Sequence, residues 1–372
     1  MTKDELINEV LHKPLLFNQH MFDELINKGL NFLDVRDCIR RIYDLSEGQL
    51  KETSNANIGL LGKLNRRSNK KREKLFYRKV SRQKTDVPYK FIYAEGDSWF
   101  QFPFFIADII DWLKKKDDYI LYNEASGGDW LTNIIYEGQY IPALSTYKPH
   151  FFLISGGGND LVGNNRLAMM IQMNNNQPKY NDSSDLQDPF LTDYQVELII
   201  KAQPHITKEF YAFIWMMKAQ YTILFSKLYS SSSTQKDLVS ITQGYDYAIP
   251  GNRINFSFRY PLQPMINYFL DNGQWLFRPM MIRGILDRDL QKALVMAFIY
   301  EFNQMFTSIA HDSRFEKVFH IDCRGVAEKS GDWYDELHYK SHVFKKVAKA
   351  YEYIIENHAF NINKVIRVVD FS

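Results

Sequence analysis

Apolar residues recur at helical spacing through the first 60 residues of the chain. They fall in three groups, 6–11, 22–30 and 35–42, which are separated by Lys13-Pro14 and Asn31. A spacing of three and four residues places such side chains on one face of a helix. The pattern therefore predicts a small helical extension ahead of the rest of the chain.

From Tyr89 onward, short apolar runs alternate with longer amphipathic segments. The runs predict five β-strands, at 91–93, 119–123, 150–154, 237–242 and 318–322, and the tail 365–369 is a candidate for an added strand. The amphipathic segments predict helices at 104–113 after Pro103, 206–228, 287–306 and 342–355. This alternation predicts an α/β fold with a mostly parallel five-stranded sheet, covered by helices on both faces.

Two stretches interrupt the alternation. Residues 172–192 are too polar for a core element and predict a surface loop. Residues 254–282 are rich in aromatic side chains, which either pack an inserted subdomain or line an apolar substrate pocket. These aromatic residues are Phe256, Phe258, Tyr260, Tyr268, Phe269, Trp275 and Phe277. We therefore divide the chain into a helical extension with a basic linker at 1–88 and an α/β domain at 89–372, which carries an insertion at about 164–285.

Composition narrows the class of protein. The 372 residues are 45% hydrophobic, enough for a large core, and the net charge of +2 gives no overall attraction to nucleic acid or membrane. Cys38 and Cys323 are too few for a disulfide framework, and the sequence after Met1 has no secretory apolar region. No apolar run is long enough for a membrane span. These features favour a cytoplasmic location.

One local stretch departs from this balance of charge. Residues 63–84 hold eleven basic residues and a single acidic one, Glu73. The stretch is either a solvated linker or helix face, or a patch that binds phosphate groups, for which only Phe76 and Tyr77 offer stacking surface.

Polar turns follow three successive predicted strands, and they contain Ser98, Gly128 and Asn159. Because parallel strands bring their carboxyl ends to one edge of the sheet, these residues should lie close together, and a late turn with Asp335 and His338 can face them. A serine hydroxyl needs an adjacent general base to become a nucleophile, and His338 is the candidate. Asp335 would fix the imidazole tautomer that presents Nε2 to Ser98.

The same edge offers hydrogen-bond donors for a developing oxyanion. The backbone amides of Ser98 and Gly128 and the side-chain amide of Asn159 would supply three of them. One such donor is typically worth about 3 kcal/mol of transition-state stabilisation.

Four blocks together resemble the SGNH hydrolases, also called GDSL-type esterases and lipases. The blocks are Gly96-Asp97-Ser98, Asn123 through Gly128, Gly157-Gly158-Asn159-Asp160 and Asp335-Glu336-Leu337-His338. The resemblance implies a flavodoxin-like three-layer α/β/α sandwich, no metal or organic cofactor, and hydrolysis of esters or thioesters through an acyl-serine intermediate. It implies that Ser98 is the nucleophile, His338 the base and Asp335 its partner. It also implies that Ser98, Gly128 and Asn159 form the oxyanion hole.

The sequence departs from the family pattern at three positions. Trp99 replaces an aliphatic residue, Gly158 stands where threonine is common, and Ala125 stands where glycine is frequent. Trp99 either forms a wall of the acyl pocket or packs beneath it. Asp97 and Asp160 are interpreted as carboxylates that stabilise turns.

Other interpretations stay open at this stage. His342 follows His338 by one helical turn, so that these two residues and Asp335 could ligate a metal ion, although this leaves Ser98 without a role. The chain could also be an inactive hydrolase scaffold whose basic segment 63–84 binds nucleic acid or anionic lipid. The substrate class, a lipid, carbohydrate or other small-molecule ester, is not determined by these residues.

Overall fold

A six-stranded parallel sheet forms the centre of the protein in the computed structural model, with strand order β2-β1-β3-β4-β5-β6. The structure describes residues 1–45, 59–82, 88–102, 106–174, 178–186, 188–230, 235, 237–251, 273 and 275–371. The strands are β1 Lys90–Gly96, β2 Tyr119–Asn123, β3 Phe151–Ser155, β4 Val239–Gln243, β5 Val318–Asp322 and β6 Val365–Arg367. The predicted α/β class with a parallel sheet is therefore confirmed. The predicted count of five is wrong by one, because the tail pairs with β5 from His320↔Val365 to Asp322↔Arg367.

Helices connect the strands and precede them. They are α1 Lys3–His12, α2 Gln19–Asn27, α3 Phe32–Ile42, α4 Gly59–Ser81, α5 Ile109–Leu113, α6 Leu131–Glu137, α7 Tyr140–Tyr147, α8 Gly158–Val162, α9 Asp193–Ala202, α10 Lys208–Leu228, α11 Phe277–Ile282, α12 Arg288–Ala310 and α13 Ser341–Asn357. Short 3-10 turns lie at Gly163–Met170, Ser183–Asp185, Gln203–His205, Ser330–Asp332 and Val368–Phe371. Within the described ranges, no helix is long and apolar enough to cross a membrane.

The two faces of the sheet bury separate hydrophobic cores. Phe152 and Ile154 of β3 belong to one core, whereas Phe151 and Leu153 belong to the other, as the alternation of side chains along a strand requires. The first core includes α10 and α12, and the second includes α5 and α13. Helices thus cover both faces, which is compatible with a three-layer sandwich.

The first three helices share the core of the sheet. Phe17 and Phe22 contact the indole of Trp215 in α10, with ring centroids 5.3 and 5.4 Å apart. Thr2 and Asn31 cap α1 and α3 through hydrogen bonds to backbone amides. The helical periodicity predicted for this region is confirmed, while the division of the chain at residue 88 stays a prediction.

Within the basic stretch, residues up to Ser81 belong to helix α4, so that of the two forms expected for a solvated stretch, linker or helix face, the structure shows the helix. The inner face of α4 is anchored by Arg72, whose guanidinium donates to Asp108 Oδ2 at 2.6 Å and to the Phe100 carbonyl at 2.6 Å. Phe76 is 3% exposed and packs against Tyr122 and Tyr147. The sequence shows an unbroken run of basic residues and does not reveal that Arg72 and Phe76 point inward.

Two other boundaries differ from the sequence prediction. The helix expected at 104–113 begins only at Ile109 in the described residues, because Asp108 accepts the Asp111 amide and acts as its N-cap. The predicted insertion at 164–285 contains β4, which lies between β3 and β5 in the sheet, so that part of this segment belongs to the fold's centre. Of the aromatic segment 254–282, residues 254–272 lie outside the described residues.

The buried ion pair of Arg72 should be a large contributor to stability. We expect Arg72→Met to lower the free energy of unfolding by about 3–5 kcal/mol, because Asp108, which is fully buried, would lose its cationic partner. Urea unfolding followed by circular dichroism measures this change. The control Arg78→Met, on the exposed side of the same helix, should stay within about 0.5 kcal/mol of the wild type. Equal effects of the two substitutions would contradict the anchoring role of Arg72.

Candidate active site

The loop after β1 presents Ser98 and is shaped by two residues before it. Gly96 lies so close to β3 that a Cβ atom there would be 2.4 Å from the Ser155 carbonyl oxygen. Asp97 is buried, and its carboxylate accepts hydrogen bonds from the Trp99 amide at 3.0 Å and the Ser155 hydroxyl at 3.0 Å. This agrees with its interpretation as a turn-stabilising carboxylate. The loop is therefore fixed to the sheet on both sides of the serine.

Ser98, His338 and Asp335 form a continuous chain of hydrogen bonds. The Ser98 Oγ lies 2.7 Å from His338 Nε2, and His338 Nδ1 lies 2.9 Å from Asp335 Oδ2. Asp335 Oδ1 also accepts the backbone amides of Leu337 at 2.7 Å and His338 at 2.8 Å. The structure thus brings together three residues that are separated by up to 240 positions in the sequence.

Electrostatics favour a charged carboxylate at Asp335. Burial alone would raise its pKa, but the His338 imidazole and the two backbone amides outweigh burial and lower the pKa below its ordinary value. An ionised Asp335 accepts the Nδ1 proton of His338. Nε2 is then free to accept the proton of the Ser98 hydroxyl.

Of the predicted oxyanion donors, Ser98 and Asn159 line one pocket, while Gly128 lies in a neighbouring loop. Within the described part of the chain, the backbone amides of Ser98 and Gly128 donate to no protein acceptor, so both are available to a ligand. The loop that carries Gly128 is tied to β1 by the Ser126 amide, which donates to the Gly96 carbonyl at 2.9 Å. Asn159 donates one amide hydrogen to the Asp129 carbonyl at 2.8 Å, which leaves the other hydrogen for a second acceptor.

Asp160 and Arg166 hold the Asn159 loop in place. The buried Asp160 carboxylate accepts hydrogen bonds from the amides of Leu131 and Thr132 and from the Thr132 hydroxyl. Arg166 donates to the Asn159 carbonyl at 2.8 Å. These contacts agree with the interpretation of Asp160 as a structural carboxylate.

Tyr245 is a residue of this site that the sequence does not single out. Its hydroxyl donates to Asp97 Oδ2 at 2.6 Å and accepts from the Gly158 amide at 3.1 Å. A Cβ atom at Gly158 would lie 2.8 Å from the Tyr245 ring, which explains why glycine stands here. In the sequence, the glycine at position 158, where threonine is common, indicates that a side chain is excluded there. It does not indicate that Tyr245 is the residue that excludes it.

An apolar pocket opens beside Ser98. Ser98, Asn159 and His338 lie on its boundary, and the space between its lining atoms, open solvent included, is about 640 Å³. Its apolar lining comprises Leu161, Val162, Leu167, Ala248, Leu276, Val295, Phe298, Ile299, Phe302 and Leu337. Trp99 also lines the pocket, yet it is only 3% exposed and packs on Tyr339 and Phe344. Trp99 therefore both contributes to the wall of the pocket and packs beneath it, the two alternatives that the sequence left open.

Glu336, between the two acting residues of the late turn, holds one wall of the pocket. Its carboxylate accepts four backbone amides, those of Gly251, Trp275, Leu276 and Phe277. Burial outweighs these hydrogen bonds and raises the pKa of Glu336. Leu276 belongs to the aromatic-rich segment, so at least this residue of the segment contributes to the pocket.

The alternative of a metal site receives no support from His342. Its side chain is 59% exposed, and its Nε2 lies 3.0 Å from Asp332 Oδ1 rather than beside Asp335 and His338. Those two residues are engaged with each other and with Ser98.

Comparison of the chain with protein-family models, with curated proteins and with solved structures finds no match in any of the three. The resemblance to the SGNH hydrolases therefore depends on four short blocks of residues and on the geometry just described. Membership of that family, and the catalytic roles that it implies, stay predictions.

Proposed function

We propose that this protein is a serine hydrolase that cleaves carboxylic esters through an acyl-serine intermediate. The observation that carries the proposal is the hydrogen-bonded chain from Asp335 through His338 to Ser98, which ends at the rim of an apolar pocket. Nucleophile, base and orienting carboxylate within hydrogen-bond reach are the signature of nucleophilic catalysis by serine.

The reaction follows from this geometry in two halves. His338 Nε2 takes the Ser98 proton as Oγ attacks the ester carbonyl carbon, and the oxyanion is met by the amides of Ser98 and Gly128 and by Asn159. The intermediate collapses, His338 returns the proton to the departing alcohol, and the acyl group stays on Ser98. Water, activated by the same imidazole, then releases the carboxylic acid and restores the serine.

The architecture supports the same family of enzymes. The strand order begins 2-1-3-4-5, the order of flavodoxin-like sheets, and we propose that the fold is a flavodoxin-like three-layer sandwich with one added edge strand. In such sheets ligands bind outside the carboxyl ends of the strands. Ser98 and Asn159 lie at this end, since Ser98 follows β1 and Asn159 follows β3. This placement is what membership of the SGNH hydrolases would require.

The pocket favours esters of hydrophobic acids. Its lining is almost entirely aliphatic and aromatic, so an acyl chain would gain free energy of about 0.8 kcal/mol for each methylene that it buries there. We also propose a cytoplasmic setting, because Cys38 and Cys323 are buried free thiols.

Loss of the nucleophile should abolish turnover. We expect Ser98→Ala to reduce hydrolysis of p-nitrophenyl esters at least about a thousandfold, because no other hydroxyl lies against His338 Nε2 in the described residues. Labelling by a fluorophosphonate probe should disappear as well. Release of p-nitrophenol and intact-protein mass spectrometry measure the two effects.

The matched control is Ser330→Ala, an exposed serine in a turn near the late loop, which should keep full activity and labelling. Circular dichroism establishes that each variant is folded. A folded Ser98→Ala protein with wild-type turnover would show that Ser98 is not the nucleophile. A wild-type protein that neither turns over esters nor reacts with the probe would contradict the enzyme function itself.

Filling the pocket should change chain-length preference. Ile299 is half-buried on the pocket wall, and Ile299→Trp should lower kcat/KM for an octanoate ester relative to acetate at least about tenfold, because the longer chain loses its space. The control Ile299→Val should leave the ratio within a few-fold of the wild type. Steady-state kinetics with both p-nitrophenyl esters measure it. An unchanged ratio in the Trp variant would place the acyl chain elsewhere.

A further inference from the structure

Helix α4 carries a continuous row of positive charge on its outer face. Five exposed basic residues are spaced by three or four positions, which places them on one side of the helix. They are Lys63, Arg67, Lys70, Lys74 and Arg78. At 1.5 Å per residue the row is about 22 Å long. Arg66 and Lys71 flank it and are exposed too. We call these seven residues the basic stripe.

The positive charges of the basic stripe form no ion pair with the described part of the protein, and Glu73 is the only acidic residue between 63 and 84. Like charges four residues apart destabilise a helix by repulsion. This repulsion is reduced near Arg66 and Lys70, because both border a cleft that is also lined by five acidic residues, Glu73, Glu95, Glu124, Asp129 and Glu137.

The inner face of α4 makes the stripe a fixed surface. Asn69 donates to the Ala125 carbonyl at 3.0 Å, and Lys79 donates to the Tyr119 carbonyl at 2.9 Å. Together with the buried Arg72 and Phe76, these contacts hold the helix against the sheet from Asn69 to Lys79. The basic side chains outside thus project from a rigid element, unlike those of a solvated linker.

The position of the stripe relates it to the candidate active site. Asn69 contacts the loop that follows β2, and Arg72 contacts Phe100, two residues after Ser98. Arg66 and Lys70 border a cleft with Ser126 and Asp129, in the loop that carries Gly128. The amino-terminal part of the stripe therefore lies at the same edge of the sheet as the acyl pocket.

We infer that the basic stripe binds the surface of an anionic phospholipid membrane. Seven fixed cations complement a layer of phosphate and carboxylate headgroups, and each contributes about a fivefold increase in membrane affinity at low salt. Tyr77 and Val80 are 50% and 39% exposed on the same helix, and side chains of this kind suit the boundary between headgroups and acyl chains. A membrane bound there would present acyl esters at the edge that carries the pocket.

Nucleic acid fits the same charges less well. Phe76 is buried, which leaves Tyr77 as the only exposed ring among the described residues of α4 and removes the stacking surface on which single strands depend. Binding to lipid does not depend on the hydrolysis proposed above, since it requires only the helix.

The test is sedimentation with vesicles of phosphatidylcholine alone and of phosphatidylcholine with about 30% phosphatidylserine. The wild-type protein should sediment with the anionic vesicles only, and should be released as salt rises from about 0.1 M to about 0.5 M. The variant Lys63→Gln/Arg67→Gln/Lys70→Gln/Lys74→Gln should lose affinity by about several hundredfold, at about fivefold for each of the four cations. Glutamine preserves helix propensity, so circular dichroism should be unchanged.

A second variant removes the same charge elsewhere. This control changes four exposed lysines outside α4 and is Lys13→Gln/Lys208→Gln/Lys292→Gln/Lys349→Gln. Its affinity for anionic vesicles should stay within a few-fold of the wild-type affinity. Equal losses in the two variants would show that net charge, not the stripe, governs binding. Absence of binding to anionic vesicles would overturn the proposal, as would preferential binding of a DNA duplex that anionic vesicles do not displace. Because Ser98→Ala should bind vesicles like the wild type, failure of the enzyme function would remain distinguishable from failure of this one.

Discussion

The hydrogen bond between Ser98 and His338 is the contact on which the rest of the candidate site depends. It joins a loop after the first strand to a turn near the end of the chain, at a distance of 2.7 Å. A bond of this length needs both partners fixed to within a few tenths of an ångström. On the serine side Asp97 holds the loop, and on the histidine side the Tyr334 amide donates to the His338 carbonyl at 2.7 Å. The geometry is thus built by neighbours that take no part in the chemistry.

Buried carboxylates serve as the main fixing elements at this edge of the sheet. Asp97, Asp160, Asp246 and Glu336 each accept several hydrogen bonds from loop amides or hydroxyl groups. For Asp160, Asp246 and Glu336 burial raises the pKa, and the hydrogen bonds from those donors counteract part of that rise. A carboxylate that accepts amides from two segments fixes their relative position. Glu336 does this for Gly251 and residues 275–277, and thereby connects the late turn to the wall of the pocket.

Sequence reasoning reached the reacting residues because their arrangement follows from topology. Once three strands are predicted to be parallel, the loops at their carboxyl ends must share an edge, and Ser98 and Asn159 come together without further information. Tyr245 and Glu336 escaped detection because their roles depend on which loops they meet in space. For helix α4 the sequence left open whether a linker or a helix forms, because two of its inward residues, Asn69 and Arg72, are polar and are explained only by their partners Ala125 and Asp108.

Two departures from the family pattern have a common physical cause. The Tyr245 ring meets Trp99 edge-on, with centroids 5.2 Å apart, and it occupies the space that a side chain at Gly158 would need. Its hydroxyl replaces what a threonine could have supplied to the loop, since it binds both the Gly158 amide and Asp97. Tyr245 therefore contacts both positions, the tryptophan after Ser98 and the glycine before Asn159, and at Gly158 its ring leaves no room for a side chain. Both departures thus lie where this one tyrosine supports the loops of the candidate site.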